Sequence, residues 1–440
     1  MIRIVIFLFA ASLSVAAAEP DWSALEKNAL DLLQRYLRID STNPPADTRE
    51  AAKLIQAELM KNGIESRLYP AGPAGHQVNL LARIKGRDSS KKPLLLLNHF
   101  DVVPVDRKAW KMDPFGGEIR DAYIWGRGAL DMKGIGVQHL TAMVALKKAG
   151  IVPPRDVVML ITADEETSGV YGIQYMIEKH FSEFAPEYVL DEGGFGTRDI
   201  LSPGKLVFGI MVGEKNVVWL RLRATGTAAH GSQPIPDNAN MILLRAIEKA
   251  LNVPPSPRPH ETVAGMQKSL GAMAANKYTS AIQGNTISLT SLTSGVGNPP
   301  KVNVIPSNAE ATLDCRLLPG VNAEEFISEL RARINDPRIA VEIVHQGKDS
   351  GVSDHRTPLF AALSAAVKKH HAEALVTPIL VPHGTDSKYL RMKGVVAYGF
   401  TPMVLDLATS ATMHSDSERI PVSEFLKGIR LIFDVIRSDF

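Results

Sequence analysis

Residues 94–101 read Leu94-Leu95-Leu96-Leu97-Asn98-His99-Phe100-Asp101. Four leucines in a row, closed by polar residues, predict a strand buried on both faces, as in a parallel sheet. The strand runs out into a histidine and an aspartate. Residues two apart on an extended chain point the same way, so His99 and Asp101 share a side. Alone, such a pair serves equally well to cap a loop. Two more apolar runs stop in a similar manner. Residues 157–163 lead into Asp164-Glu165-Glu166, and 188–190 into Asp191-Glu192-Gly193-Gly194.

Helical spacing surrounds these strands. Leu25, Ala29, Leu32, Leu33, Tyr36 and Leu37 form one apolar stripe, and Ala52, Ile55 and Leu59 another, with Gly63 behind it as a stop. Residues 78–84 read as a further strand. Residues 134–149 read as a helix ended by Gly150 and two prolines. Helix and strand alternate, which predicts an α/β layered sheet with its chemistry at the carboxyl ends of strands.

Beyond Gly213 the pattern changes. Val218, Leu220, Leu222 and Ala224 alternate with Trp219, Arg221 and Arg223, as in a sheet with one wet face. A helix at 238–251, a Pro-rich loop at 254–259, strands at 286–292 and 309–317, a helix at 323–334 and a strand at 339–344 follow. From about Thr357 come a long helix, a strand at 379–381 and a last helix at 422–437. The chain therefore divides into a larger α/β domain, 19–213 and 348–440, and a smaller α+β domain, 214–347, inserted into it.

The first 18 residues stand apart. Arg3 makes a positive start, 4–11 is an uninterrupted apolar run, and Ala16-Ala17-Ala18 offers small residues for cleavage before Glu19. This order predicts a secretory signal; a membrane span needs about 20 apolar residues. No later segment is apolar for long enough to span, so a periplasmic or secreted protein is expected. Across 440 residues, 49 Lys+Arg against 47 Asp+Glu leave a net charge of +2 and no basic field for nucleic acid. The lone Cys315 excludes an intrachain disulfide and a cysteine zinc knuckle. Gly126-Arg127-Gly128 lacks the third glycine of a dinucleotide-binding loop.

Each ionisable candidate has an ordinary reading on its own. Asp131, before a helix, resembles an N-cap. Glu165-Glu166 resemble an exposed charge run. His414 resembles a surface histidine, and His230 a turn histidine. Together they converge, because separate strands bring His/Asp, Glu/Glu and Asp toward one edge of one sheet. Histidine and carboxylate without cysteine suit zinc, with cobalt or manganese as less favoured ions. One carboxylate between two histidine-bearing sites can bridge two ions, and an unligated Glu can then act as general base.

The joint pattern resembles the co-catalytic zinc metallopeptidase family of aminoacylase, glutamate carboxypeptidase, carboxypeptidase S and succinyl-diaminopimelate desuccinylase. The matching elements, in order, are His99-x-Asp101, Gly128-x-x-Asp131-x-Lys133-Gly134, Asp164-Glu165-Glu166, Asp191 and His414-x-x-x-Glu418-Arg419-Ile420. They cover essentially the whole chain after the leader. Leu190-Asp191-Glu192-Gly193-Gly194 looks closest to the carboxypeptidase S and secreted N-acyl-amino-acid hydrolase branch.

The resemblance implies a mixed-sheet catalytic domain with an inserted α+β sandwich serving as lid and dimerisation domain. It implies two Zn2+, with Co2+ or Mn2+ as substitutes. His99 and Asp191 would hold one ion, Glu166 and His414 the other, and Asp131 both. Glu192 competes with Asp191, which is preferred because it directly follows the apolar run. Glu165 would be the general base, and Asp101 would orient the His99 ring. The peptide after Asp131 is often cis in this family. His230 would stabilise the oxyanion, in dimeric relatives from the neighbouring subunit. Asn303, Arg316, Gly384 and Thr385 would grip a substrate carboxylate. The implied activity is a carboxypeptidase on short peptides, with an N-acyl-amino-acid amidohydrolase as the alternative and a homodimer as the possible assembly.

Overall fold

The computed structural model describes residues 19–252 and 259–440. The expected leader, 1–18, lies outside the described residues, as does nearly all of the Pro-rich loop. Among the described residues no helix is long and apolar enough to cross a membrane.

An eight-stranded mixed sheet forms the centre. Its order is Glu65–Ala71, Gln77–Ile84, Val157–Thr162, Leu94–His99, Tyr188–Arg198, Val396–Leu405, Leu206–Glu214 and Leu375–Val381. The four leucines explain why Leu94–His99 lies inside it. Leu94 and Leu96 enter the core beneath one set of helices, while Leu95 and Leu97 enter the core on the opposite face. Each buried leucine contributes about 1.5–3 kcal/mol, so a run of four commits the segment to a covered position. Helices Trp22–Leu37, Lys133–Lys148 and Val422–Arg437 cover the first face, and Ile173–Phe184 the second.

Leu94–His99 lies between Val157–Thr162 and Tyr188–Arg198 and is parallel to both. His99 is level with Thr162, and Leu96 with Leu190. The residues after these positions therefore meet on one side of the sheet. The third strand does not stop at Leu190, as its apolar run suggests, but continues to Arg198. Asp191 and Glu192 consequently lie within a strand and point to opposite faces.

A four-stranded antiparallel sheet forms the smaller unit. Its order is Thr286–Ser294, Asn308–Leu317, Asn216–Thr225 and Ile339–Gln346. Val218, Leu220, Leu222 and Ala224 pack under helices Ala239–Leu251 and Ala323–Ile334, the face that the alternation predicts. Part of the expected insertion packs elsewhere. Helices Glu261–Leu270 and Lys277–Gln283 place Val263, Met266, Leu270 and Ile282 against Val207, Met211, Ile379 and Leu380 of the large sheet.

Candidate metal centre

His99 ends its strand with the ring buried. Its Nε2 lies 3.0 Å from Asp131 Oδ1 and 3.6 Å from Glu192 Oε1. On the other side of Asp131, His414 Nε2 lies 3.0 Å from Oδ2 and 3.5 Å from Glu166 Oε2. Two donor groups result, His99–Asp131–Glu192 and Asp131–Glu166–His414, and they share one carboxylate. Each offers one imidazole nitrogen and two carboxylates, a donor set suited to zinc. Glu166 Oε1 is buried with no hydrogen-bond partner. Such an orphan is costly unless a cation meets it, so these residues fit a pair of metal ions.

The acids crowd one another. Burial and the charge of Asp131 push Glu166 up to about 7. Glu192 is raised by burial and by Asp131, and Glu165 by burial and by Glu192. Hydrogen bonds to Asp131 and Glu166 raise His414 to about 10. Without a cation this cluster retains protons that a divalent ion would displace.

Asp131 is not an N-cap. The capping position of Lys133–Lys148 is Met132, which makes no side-chain cap bond, and the Asp131–Met132 peptide is cis. Both Asp131 oxygens are directed at the histidines. Glu418 sets the backbone of this turn, since its Oε1 accepts from Leu130 N at 2.9 Å and Asp131 N at 3.1 Å. Its Oε2 pairs with buried Arg127 at 2.5 Å, and Arg127 also donates to the His414 carbonyl at 3.3 Å. One ion pair therefore ties the Asp131 turn to the His414 loop, where His414 itself has a φ of 61°. Lys133 runs back under the turn and donates to Ile39 O at 2.8 Å, which accounts for a buried lysine in the motif.

Of the two competing acids, the preferred one is not the one that lies beside His99. Glu192, not Asp191, faces His99. Asp191 points the other way and accepts from Ser387 N at 3.1 Å and Ser387 Oγ at 2.7 Å. Strand alternation is the reason, and only the true length of Tyr188–Arg198 reveals it. Gly399 lies beside Glu192, and a Cβ there would fall 2.1 Å from the Glu192 carbonyl oxygen.

Asp101 also works differently from expectation. His99 Nδ1 meets the backbone carbonyl of Asp101 at 2.9 Å, closer than its carboxylate at 3.6 Å. The carboxylate instead accepts from Glu165 N at 3.1 Å, Glu166 N at 3.0 Å and Asn43 Nδ2 at 2.8 Å. Asp101 thus shapes the turn that presents both glutamates. Asn43 donates to Asp164 as well, and Asp164 takes the Tyr171 N–H, so the first acid of the Asp-Glu-Glu run is structural. Among the described residues, no side chain hydrogen-bonds the Glu165 carboxylate.

The expected substrate residues are more scattered. His230, on the short strand Ala229–His230, is exposed and bonds Ser232 Oγ at 2.8 Å. Asn303 is exposed nearby, its carbonyl accepting from Gly231 N at 2.7 Å. No contact between either residue and the metal group is present among the described residues. Arg316 is half-buried and forms a fork with Asp314 at 2.8 and 3.0 Å. Thr385 is buried and spends its hydroxyl on Glu214 at 3.1 Å. Its neighbour Asp386 accepts from Thr162 Oγ1 at 2.8 Å, so Gly384 and Thr385 sit in a pinned loop. Arg127 and Asn43 support the site without having been singled out from the sequence. Arg127 alone carried a signal there, in its Gly-Arg-Gly setting.

Comparison with known proteins matches a model described as peptidase family M20/M25/M40 over residues 95–438. Aminoacylase-1 of Sus scrofa is 29% identical over 418 residues, spanning 94% of this chain and 95% of that protein. Probable carboxypeptidase S-like 2 of Dictyostelium discoideum is 29% identical over 391 residues, 82% of this chain and 74% of that one. Among solved structures, the M20 family metallo-carboxypeptidase Sso-CP2 from Sulfolobus solfataricus superposes with a TM-score of 0.70. It has 20% identity and covers 93% of this chain and 98% of its own.

Proposed function

The chain belongs to peptidase family M20/M25/M40, and from that premise we propose that it hydrolyses the amide bond on the amino side of a residue with a free carboxylate. Its substrates are short peptides or N-acyl amino acids. One observation carries the reading: two histidine-bearing donor groups share Asp131 beside a glutamate, Glu165, that belongs to neither. The length of the match to aminoacylase-1 favours N-acyl amino acids as the substrates to test first.

Two zinc ions suit the site: His99 and Glu192 would hold one, Glu166 and His414 the other, and Asp131 would serve both. When bound, they supply Lewis acidity toward a water and toward the amide carbonyl. Glu165 takes the proton of the attacking water and returns it to the leaving amine. Asp101 keeps Glu165 and Glu166 in place through their backbone N–H groups. Arg316 holds the substrate carboxylate with Asn303 and the backbone of Gly384 and Thr385, a task suited to a guanidinium fork. His230 steadies the oxyanion from a second copy of the chain, docked through the inserted unit. Residues 1–18 direct export to the periplasm or beyond.

A panel of N-acetyl amino acids and dipeptides, each paired with its C-terminal amide, tests the reading. Hydrolysis of the free acids that is lost on amidation, abolished by EDTA and restored by zinc is the expected result. Equal turnover of acids and amides, or turnover indifferent to EDTA, refutes it. Glu192→Gln is expected to lower bound zinc from two per chain to about one by elemental analysis, because a ligand is lost. Asp191→Asn is expected to retain both ions. The opposite order of losses would restore Asp191 as the ligand.

A further inference from the structure

His383 has no role in the mechanism above. It stands two residues after strand Leu375–Val381 and immediately before Gly384. Val381 pairs with Glu214, and Gly399 pairs with both Asp191 and Met211, so this loop is brought level with Asp191. The residues that follow are tied down. Thr385 bonds Glu214, Asp386 takes the Thr162 hydroxyl, and Ser387 bonds Asp191, all of them buried. His383, by contrast, is exposed, and its ring makes no side-chain hydrogen bond among the described residues. A fixed loop thus holds one unpaired imidazole toward open space beside the metal group.

We propose that His383 selects the side chain of the carboxylate-bearing residue of the substrate, favouring one whose amide or carboxylate hydrogen-bonds an imidazole. This rests on the reading that the scissile carbonyl lies at the metal group and the carboxylate at Arg316. A single α-carbon separates those two ends of the substrate, and its side chain must leave from between them. His383 adjoins Gly384, which the same reading assigns to the substrate carboxylate, on a loop tied to Asp191 next to Glu192, and the charges of Asp131, His414 and Arg316 all act on its ring. The protein packed around the ring, with Arg316 and His414 adding to it, lowers its pKa even though one side stays open to solvent. The ring is therefore neutral, with one N–H to donate and one lone pair to accept. A polar side chain satisfies that ring. An aliphatic or thioether side chain dries it without a partner, which disfavours binding.

The test compares kcat/KM for N-acetyl-L-glutamine and N-acetyl-L-methionine, whose side chains are of similar length. The zinc-loaded wild-type enzyme is measured beside His383→Leu and His383→Gln. Wild type is expected to prefer glutamine by about tenfold, the size of one well-formed hydrogen bond. His383→Leu is expected to bring the ratio close to one, and His383→Gln, which keeps a donor and an acceptor, to recover part of it. A wild-type ratio that all three enzymes share overturns the role of His383 while leaving the hydrolase reading intact. Hydrolysis of neither compound, nor of any other free acid in the panel, overturns both.

Discussion

Glu165→Gln is expected to lower kcat by about 10²–10⁴, the usual contribution of a positioned general base. Both zinc ions should remain bound. The expectation follows from where Glu165 stands. It neighbours Glu166, a member of one donor group, yet belongs to neither group, and its carboxylate has no hydrogen-bond partner among the described residues. Its backbone N–H is held by Asp101 at 3.1 Å, a bond that glutamine retains. Glutamine also keeps the shape of the side chain, so the loss falls on proton transfer rather than on folding. Steady-state kinetics on an N-acetyl amino acid, with elemental analysis and a melting curve on the same preparation, separate the possibilities. A lower kcat with KM and zinc content nearly unchanged identifies the base. Loss of one zinc would make Glu165 a ligand, and full turnover would remove it from the reaction.

Much of this centre was legible because local patterns and long-range pairing agree. The four-leucine run can be satisfied only by a strand covered on both faces, and that strand ends in His99. The parallel neighbours of Leu94–His99 follow from the same logic, since 157–163 and 188–190 are equally apolar and end in acids. Alternation in 217–224 likewise assigns its buried and exposed faces correctly, because one face meets helices and the other meets water.

What could not be read is what depends on register or on partners distant in sequence. Tyr188–Arg198 carries two acids and three glycines after Leu190, so its apolar signal ends long before the strand does. That early stop is why the apolar run pointed to Asp191, whereas Glu192 is the acid that lies beside His99. Leu206–Glu214 and Val396–Leu405 pair around Gly399, and nothing local marks them as partners. The family resemblance made Asp101 a partner of the His99 ring. Its carboxylate is instead used by backbone groups more than sixty residues away. Arg127 and Glu418, 291 residues apart, make a buried pair that no spacing rule could join.

Asp131→Asn is expected to have the broadest effect, because this residue alone belongs to both donor groups. Both of its oxygens face a histidine at 3.0 Å, and its backbone is aligned by Glu418. Asparagine fits the same space but offers one acceptor oxygen and no charge. One ion therefore loses a ligand outright, and the other loses the charge that balances it. Since bound metal lowers the barrier by several kcal/mol, kcat/KM should fall by about 10³-fold or more. The change also reaches stability. An ion that binds only the folded chain raises the melting temperature as its concentration rises. Wild-type protein stripped with EDTA should recover that increase when zinc is titrated back, whereas Asp131→Asn should show little of it. Calorimetry with and without zinc, beside metal content and kinetics, checks both consequences. If the Asp131→Asn variant kept two zinc ions, a zinc-dependent melting temperature and its turnover, the two histidine groups would not depend on a shared carboxylate.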